Sequence, residues 1–152
     1  MKIDTKFGGV IEVDERQKIS FPQGLFGFEK LVDYVLLDAE EEPFYWLQSL
    51  DEKRIAFVLI NPFVFRTDYE INTSSGELAD LKIDTAEKAL VFSIVTIPEK
   101  GPMTANLQGP LVVNKETKQG RQAILNDGRW NTKHDILAEL AGLSNRQAGS
   151  TN

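Results

Sequence analysis

Apolar residues along this chain recur mainly at the two-residue spacing of β-strands. The clearest case is Ala89–Ile97, where alternate positions are apolar on both faces and Pro98 ends the run. A strand that is apolar on both faces is typical of the centre of a sheet. Further strands are predicted at Phe7–Val13, Lys18–Phe21, Asp33–Asp38, Phe44–Leu50, Ile55–Ile60, Leu111–Asn114 and Gln122–Asn126. Within the first of these, Gly8 and Gly9 indicate a bulge or a kink.

Two short helices interrupt this pattern. The residues Ser74-Ser75-Gly76-Glu77 have the spacing of a capping box, which predicts a helix over Glu77–Leu81. A second helix is predicted after Thr132 as its cap, with apolar residues at Ile136, Leu137, Leu140 and Leu143. Short strands punctuated by Gly and Pro indicate a small antiparallel barrel or sandwich. We therefore predict a mainly β single domain of one of these two kinds, followed by a C-terminal helix whose polar end, residues 145–152, should fray.

The amino-acid composition excludes several kinds of catalytic and metal-binding site. The 152 residues include no cysteine, which excludes disulfides, zinc–thiolate sites and cysteine nucleophiles. The one histidine, His134, stands beside Asp135, but no Gly-x-Ser-x-Gly elbow accompanies it. We expect an exposed histidine at the start of the second helix. The sequence predicts no enzyme, no cofactor and no metal site.

Charge is distributed unevenly. The formal net charge is −6, and residues 1–110 carry 19 acidic and 11 basic side chains against 4 and 6 in residues 111–152. An acidic protein is a poor nucleic-acid binder but attracts basic partners. The acidic run Glu40, Glu41 and Glu42 lacks the alternation and glycine of a calcium loop. It is either a solvated loop or an acidic patch for a basic partner.

Two further features remain open between scaffold and binding. The segment Gly101–Pro110 has Gly-Pro at both ends, which indicates either a rigid turn or an interaction edge. Twelve of the fourteen aromatic residues precede residue 70. They either build the core or include a docking surface at Phe44-Tyr45-Trp46 or Phe63-Val64-Phe65.

Taken in order, several segments resemble the bacterial flagellar assembly factor FliW family. The segments are Ile3–Phe7, Ile19–Phe28, Gln48-Ser49, Ala56–Pro62, Asp68–Glu70, Thr104–Asn114 and Gln122–Asp127. The resemblance covers residues 1–135 and implies a small antiparallel β-barrel-like domain there, without enzyme activity. The C-terminal helix and frayed polar tail, residues 136–152, lie beyond it. The resemblance also implies two protein partners: CsrA, a basic dimeric RNA-binding repressor of translation, and flagellin. In such a protein, free flagellin captures the factor. When flagellin is exported, the factor is released, binds CsrA and antagonises it allosterically. This relieves the repression of flagellin mRNA.

From this we predict a partner-binding surface made of the loop after Gly101, nearby aromatics and the acidic run. Its residues are Met103, Thr104, Asn106, Leu107, Gln108, Phe44, Tyr45, Glu40, Glu41 and Glu42. Because the chain is acidic, we expect no direct contact with nucleic acid. We expect no membrane contact either, since the longest apolar stretch, Ile55–Ile60, is too short to cross a bilayer. No signal peptide is evident, so we expect the cytoplasm. The alternative is a small β-barrel that binds a ligand or a nucleic acid.

Overall fold

The computed structural model describes residues 1–71 and 78–142, which contain eleven β-strands. The strands are β1 (Lys2–Asp4), β2 (Val10–Glu12), β3 (Lys18–Ser20), β4 (Asp33–Asp38), β5 (Phe44–Ser49), β6 (Ala56–Ile60), β7 (Ala89–Thr96), β8 (Thr104–Ala105), β9 (Leu111–Asn114), β10 (Gly120–Gln122) and β11 (His134–Asp135). Residues 136–142 are helical and are called α1. Within the described ranges, no helix is both long enough and apolar enough to cross a membrane.

Nine of the strands form one antiparallel sheet that curls toward closure. Its main path runs β10-β9-β7-β6-β5-β4-β3, and β8 and β11 extend from β7. The two ends of the path meet at one point, where the backbone N–H of Ser20 donates to the carbonyl of Lys118 at 2.9 Å. The sheet is therefore barrel-like without being a closed barrel. This confirms the predicted mainly β antiparallel fold.

The inner face of the curled sheet holds the main core. Along β7, Leu90, Phe92 and Ile94 point inward, as the alternation predicts. The buried residues of this core are Ile19, Phe21, Leu25, Tyr34, Leu47, Leu59, Phe92, Leu111 and Val113. Because alternate side chains of neighbouring strands point to the same face, the curled sheet has a continuous apolar interior.

The outer face of the sheet is covered in three separate places. The β1–β2 hairpin packs Ile3 and Val13 against Val35 of β4. The segment after residue 77 packs against Val112 of β9. The third cover buries Ile60, Phe65, Tyr69, Val95, Ala105, Leu107, Trp130 and Ile136. Since Val95 lies on the second face of β7, that strand is buried on both faces, as predicted.

The predicted single strand at Phe7–Val13 is wrong. The chain instead forms β1, turns through residues 5–9 and returns as β2. Gly8 and Gly9 adopt φ values of 85° and 96°. Because glycine reaches positive φ without steric penalty, two adjacent glycines form a hairpin turn here and not a kink within one strand.

The predicted helices also need correction. The capping box at Ser74–Glu77 lies outside the described residues, and the chain beyond it forms a 3-10 turn, Ala79–Leu81, that ends at Lys82 with φ of 56°. The cap of α1 is Asp135, whose Oδ1 accepts from the backbone N–H of Ala138 at 3.0 Å. Thr132 cannot start the helix, because the chain is still extended at β11, where it pairs with β8.

Candidate functional site

A groove of about 630 Å³ lies on the outer face of the sheet, between the hairpin and the cover that contains Trp130. Its floor is formed by side chains that alternate outward from neighbouring strands. Phe44, Trp46 and Gln48 come from β5, Leu37 from β4 and Val58 from β6. The floor is therefore mainly apolar. It is a part of the outer face that these covers leave open.

Two walls enclose this floor. On one side the hairpin contributes Phe7, Gly8 and Ile11. The ring of Phe7 packs against Trp46 at 4.4 Å between centroids, with the two rings tilted by 52°. The other side is formed by Ile97 and Met103, which flank the connection between β7 and β8. Phe7 is 60% exposed and Ile97 63% exposed. Exposed apolar side chains that gather around one concavity are typical of a protein-binding site.

Gln48 fixes the position of the hairpin over the sheet. Its side chain is buried, and its Oε1 accepts from the backbone N–H of Lys6 at 2.9 Å. The amide nitrogen of Gln48 donates to the carbonyl of Lys53 at 2.9 Å. Lys53 in turn forms an ion pair with Asp4 at 3.5 Å. A buried amide with its hydrogen bonds satisfied fixes the hairpin turn over β5, so the groove has a defined shape.

The rim of the groove carries negative charge. Asp38, Glu40 and Glu41 lie along it, and no lysine or arginine is among the described residues that line it. None of these three carboxylates forms an ion pair within the described residues. Unpaired carboxylates above an apolar floor favour a partner that combines basic and apolar side chains.

Four of the ten predicted binding residues meet in this groove: Phe44, Met103, Glu40 and Glu41. Glu42 is exposed and lies just beyond it, beside a smaller cavity. Tyr45 alternates to the inner face, where its ring lies 5.4 Å from Phe92 between centroids. Its side chain thus belongs to the core side of β5.

The rest of the predicted loop is built into the fold. Thr104 pairs with Thr96 of β7 and with Asp135 of β11, and Leu107 is fully buried. Asn106 stabilises the turn after it, because its Oδ1 accepts from the backbone N–H groups of Gln108 at 3.1 Å and Gly109 at 2.8 Å. Met103 is the member of this loop that lines the groove.

The expected exposed position of His134 is wrong. The ring is 7% exposed, and its Nε2 accepts from the backbone N–H of Asn131 at 2.9 Å. Its Nδ1 lies 2.9 Å from Glu139, which pairs with Arg66 at 3.2 Å. The histidine is buried because β11 pairs with β8 and turns its side chain inward. Through Glu139 it joins α1 to Arg66 in the loop after β6. No metal-binding cluster occurs among the described residues.

The predicted set misses most of the residues that line the groove, among them Phe7, Trp46 and Ile97. Trp46 belongs to the candidate triplet at 44–46, and the period-two pattern of β5 places it on the same face as Phe44. Phe7 could have been found by reading Gly8-Gly9 as a hairpin turn. The second candidate triplet divides, since Phe63 and Val64 are exposed while Phe65 is buried in the core.

Comparison with known proteins gives a consistent result. A family model described as FliW protein matches residues 2–136. The flagellar assembly factor FliW of Treponema denticola is 51% identical over 141 residues, covering 92% of this chain and 96% of the relative. That of Treponema pallidum is 46% identical, covering 93% and 95%. A crystal structure of the flagellar assembly factor FliW aligns with a TM-score of 0.79 and 38% identity, over 90% of this chain and 96% of that one.

Proposed function

The chain belongs to the FliW family, and we propose that it is a flagellar assembly factor that works by binding other proteins and not by catalysis. The relatives that carry the name flagellar assembly factor are matched along nearly their whole length. The observation that carries the proposal is the apolar groove with the unpaired acidic rim. A site of this kind recognises a protein surface or segment, whereas it offers no acid–base pair aimed at a substrate.

We further propose that the partners are CsrA and flagellin. In this proposal, flagellin sequesters the protein while the filament subunit is in excess. Once flagellin is exported, the free protein binds CsrA, weakens its hold on flagellin mRNA allosterically and relieves repression. Such a switch needs only a limited pool of protein and two binding equilibria that exclude each other.

Charge supports a basic partner. The groove rim holds Asp38, Glu40 and Glu41, and the whole chain has a formal net charge of −6. A basic dimer such as CsrA would be drawn to this rim by long-range attraction, while RNA phosphates would be repelled. This supports action on CsrA itself, and we propose the cytoplasm as the place where both partners are met.

The predicted binding residues have different roles in this proposal. We propose that Phe44 and Met103 contact the partner directly, with Glu40, Glu41 and Glu42 guiding its approach. Thr104, Asn106, Leu107 and Gln108 would hold Met103 and the groove wall in place. Tyr45, on the inner face of β5, would support Phe44 from behind.

Capture experiments test this proposal. Immobilised protein is exposed to CsrA, to flagellin, and to both at increasing ratios. We expect each to bind alone and flagellin to displace CsrA progressively. Failure to capture either protein at low micromolar concentration would overturn the proposed function, and simultaneous binding without displacement would overturn the switch.

A further inference from the structure

Strand β2 is an unprotected sheet edge. It pairs with β1 only, and all three of its residues are exposed, with Val10 63% exposed. Edge strands are usually kept from pairing by shortness, by charged side chains, especially Lys, by Pro or by a covering element. Strand β2 is short and carries Glu12, but the segment Gly8–Val13 contains neither Lys nor Pro. One side of β2 therefore offers backbone groups to another chain.

The hydrogen-bond pattern identifies those groups. In the hairpin, the backbone N–H of Thr5 donates to the carbonyl of Gly9 at 3.3 Å, and that of Val13 donates to the carbonyl of Met1 at 2.8 Å. Ile3 and Ile11 lie opposite each other midway between these two bonded pairs. Bonded and non-bonded pairs alternate along an antiparallel ladder. The N–H and C=O groups of Val10 and Glu12 thus point away from β1. Among the described residues, no backbone hydrogen bond of a loop or turn uses either position.

This edge is continuous with the groove. Ile11 lies between the two outward-facing positions, and its side chain forms part of the groove wall. Phe7 and Gly8, at the tip of the same hairpin, also line it. A chain that pairs with β2 would therefore run beside the opening, with alternate side chains directed toward the apolar floor.

We propose that β2 receives an extended segment of a partner protein as an added strand, in which apolar residues alternate with lysine or arginine. The apolar residues enter the groove, and the basic residues meet Asp38, Glu40 and Glu41. This deepens the proposed protein-binding role of the groove and rests on it. A second copy of this chain is disfavoured at the same edge, because each copy has a net charge of −6 and would bring its acidic rim toward that of the other.

The test uses a capped ten-residue peptide of alternating Lys and Val, with a Glu-for-Lys peptide as its charge control. Binding is followed by calorimetry and by the backbone amide resonances of the ¹⁵N-labelled protein. We expect saturable binding of the Lys peptide alone, with the amides of Val10 and Glu12 among those that shift most. Shifts confined to other regions, equal binding of both peptides, or no saturable binding would overturn the proposal.

A matched pair of variants isolates the backbone contribution. Val10→Ala trims the side chain and keeps the N–H, whereas Val10→Pro also removes the N–H at a position where an edge strand tolerates proline. We expect Val10→Ala to bind the peptide within about twofold of wild type and Val10→Pro to bind about tenfold more weakly, since a partner carbonyl is left unpaired. Equal affinities of the two variants, both with the wild-type thermal transition, would refute strand addition.

The same variants separate this inference from the proposed function. If Val10→Pro captures CsrA and flagellin as well as Val10→Ala does, strand addition is wrong while the proposed function stands. If the wild-type protein captures neither partner, the proposed function fails whatever the peptide does. Weaker capture by Val10→Pro than by Val10→Ala supports both.

Discussion

Replacement of Asn106 by alanine should destabilise the protein without directly touching the groove. Its side-chain oxygen accepts from two backbone N–H groups, those of Gln108 and Gly109, at 3.1 and 2.8 Å. Alanine leaves the N–H of Gly109 unpaired in a part-buried turn, whereas the N–H of Gln108 keeps a second bond, to the carbonyl of Asn131 at 3.2 Å. An unpaired donor costs about 1–3 kcal/mol, so the free energy of unfolding should fall by about 2 kcal/mol. The turn matters because Leu107 lies within it and is fully buried in the third cover.

Urea denaturation followed by tryptophan fluorescence measures this effect. With an m-value of about 2 kcal/mol/M, the midpoint should fall by about 1 M. Asn106→Asp keeps the acceptor and should restore most of the loss. Asn126→Ala, at an exposed asparagine whose side chain makes no hydrogen bond within the described residues, should change stability by less than about 0.5 kcal/mol. The reasoning is refuted if Asn106→Ala unfolds at the wild-type midpoint yet no longer binds a partner, since Asn106 would then be a contact residue.

Three other predictions concern the groove and the core. Replacing Glu40, Glu41 and Glu42 by lysine should slow CsrA association about tenfold at low salt and flatten the salt dependence of the association rate, with little change in the dissociation rate. Unchanged stopped-flow kinetics would exclude steering by these three carboxylates. Phe7→Ala should raise the dissociation rate and weaken partner binding by about 2 kcal/mol or more, as expected for an anchor that the partner buries. Phe26→Ala, at another exposed phenylalanine outside the groove, should change neither. Equal effects of the two variants in surface plasmon resonance would count against the groove as the binding site. Tyr34→Phe should raise the free energy of unfolding by about 1 kcal/mol at pH 7, because the buried hydroxyl of Tyr34 has no hydrogen-bond partner among the described residues. Burial raises the pKa of Tyr34 from 10.0 to about 12. In that pH interval only the unfolded chain loses the tyrosine proton, so the free energy of unfolding of the wild type should fall as the pH rises, and it should fall less steeply in Tyr34→Phe. Identical pH profiles of the two proteins in chemical denaturation would contradict this.

Local alternation made the central strands predictable. The predicted strand at Asp33–Asp38 matches β4, and the two faces of β7 separate into the inner core and the third cover as expected. These features depend on side chains two residues apart in one strand. They can therefore be read without knowing what packs against the strand.

The groove could not be predicted in this way, because it depends on contacts between distant segments. The hairpin lies over β5 because Gln48 bonds the backbone of Lys6, 42 residues earlier. Likewise, His134 is buried because β11 joins β8 across the chain, and nothing near it in the sequence indicates this pairing. The acidic run was visible in the sequence, but its place beside Phe44 and Met103 required the fold.

The proposed action on CsrA is tested most directly by the rate at which a labelled flagellin-mRNA leader dissociates from CsrA, in excess unlabelled RNA, as this protein is added. If the antagonism is allosteric, as proposed, the dissociation rate rises with protein concentration, because such an antagonist binds CsrA while RNA is still bound. Added flagellin should return the rate to its starting value. If CsrA binding is intact but the dissociation rate does not change at any protein concentration, the proposed allosteric antagonism is wrong.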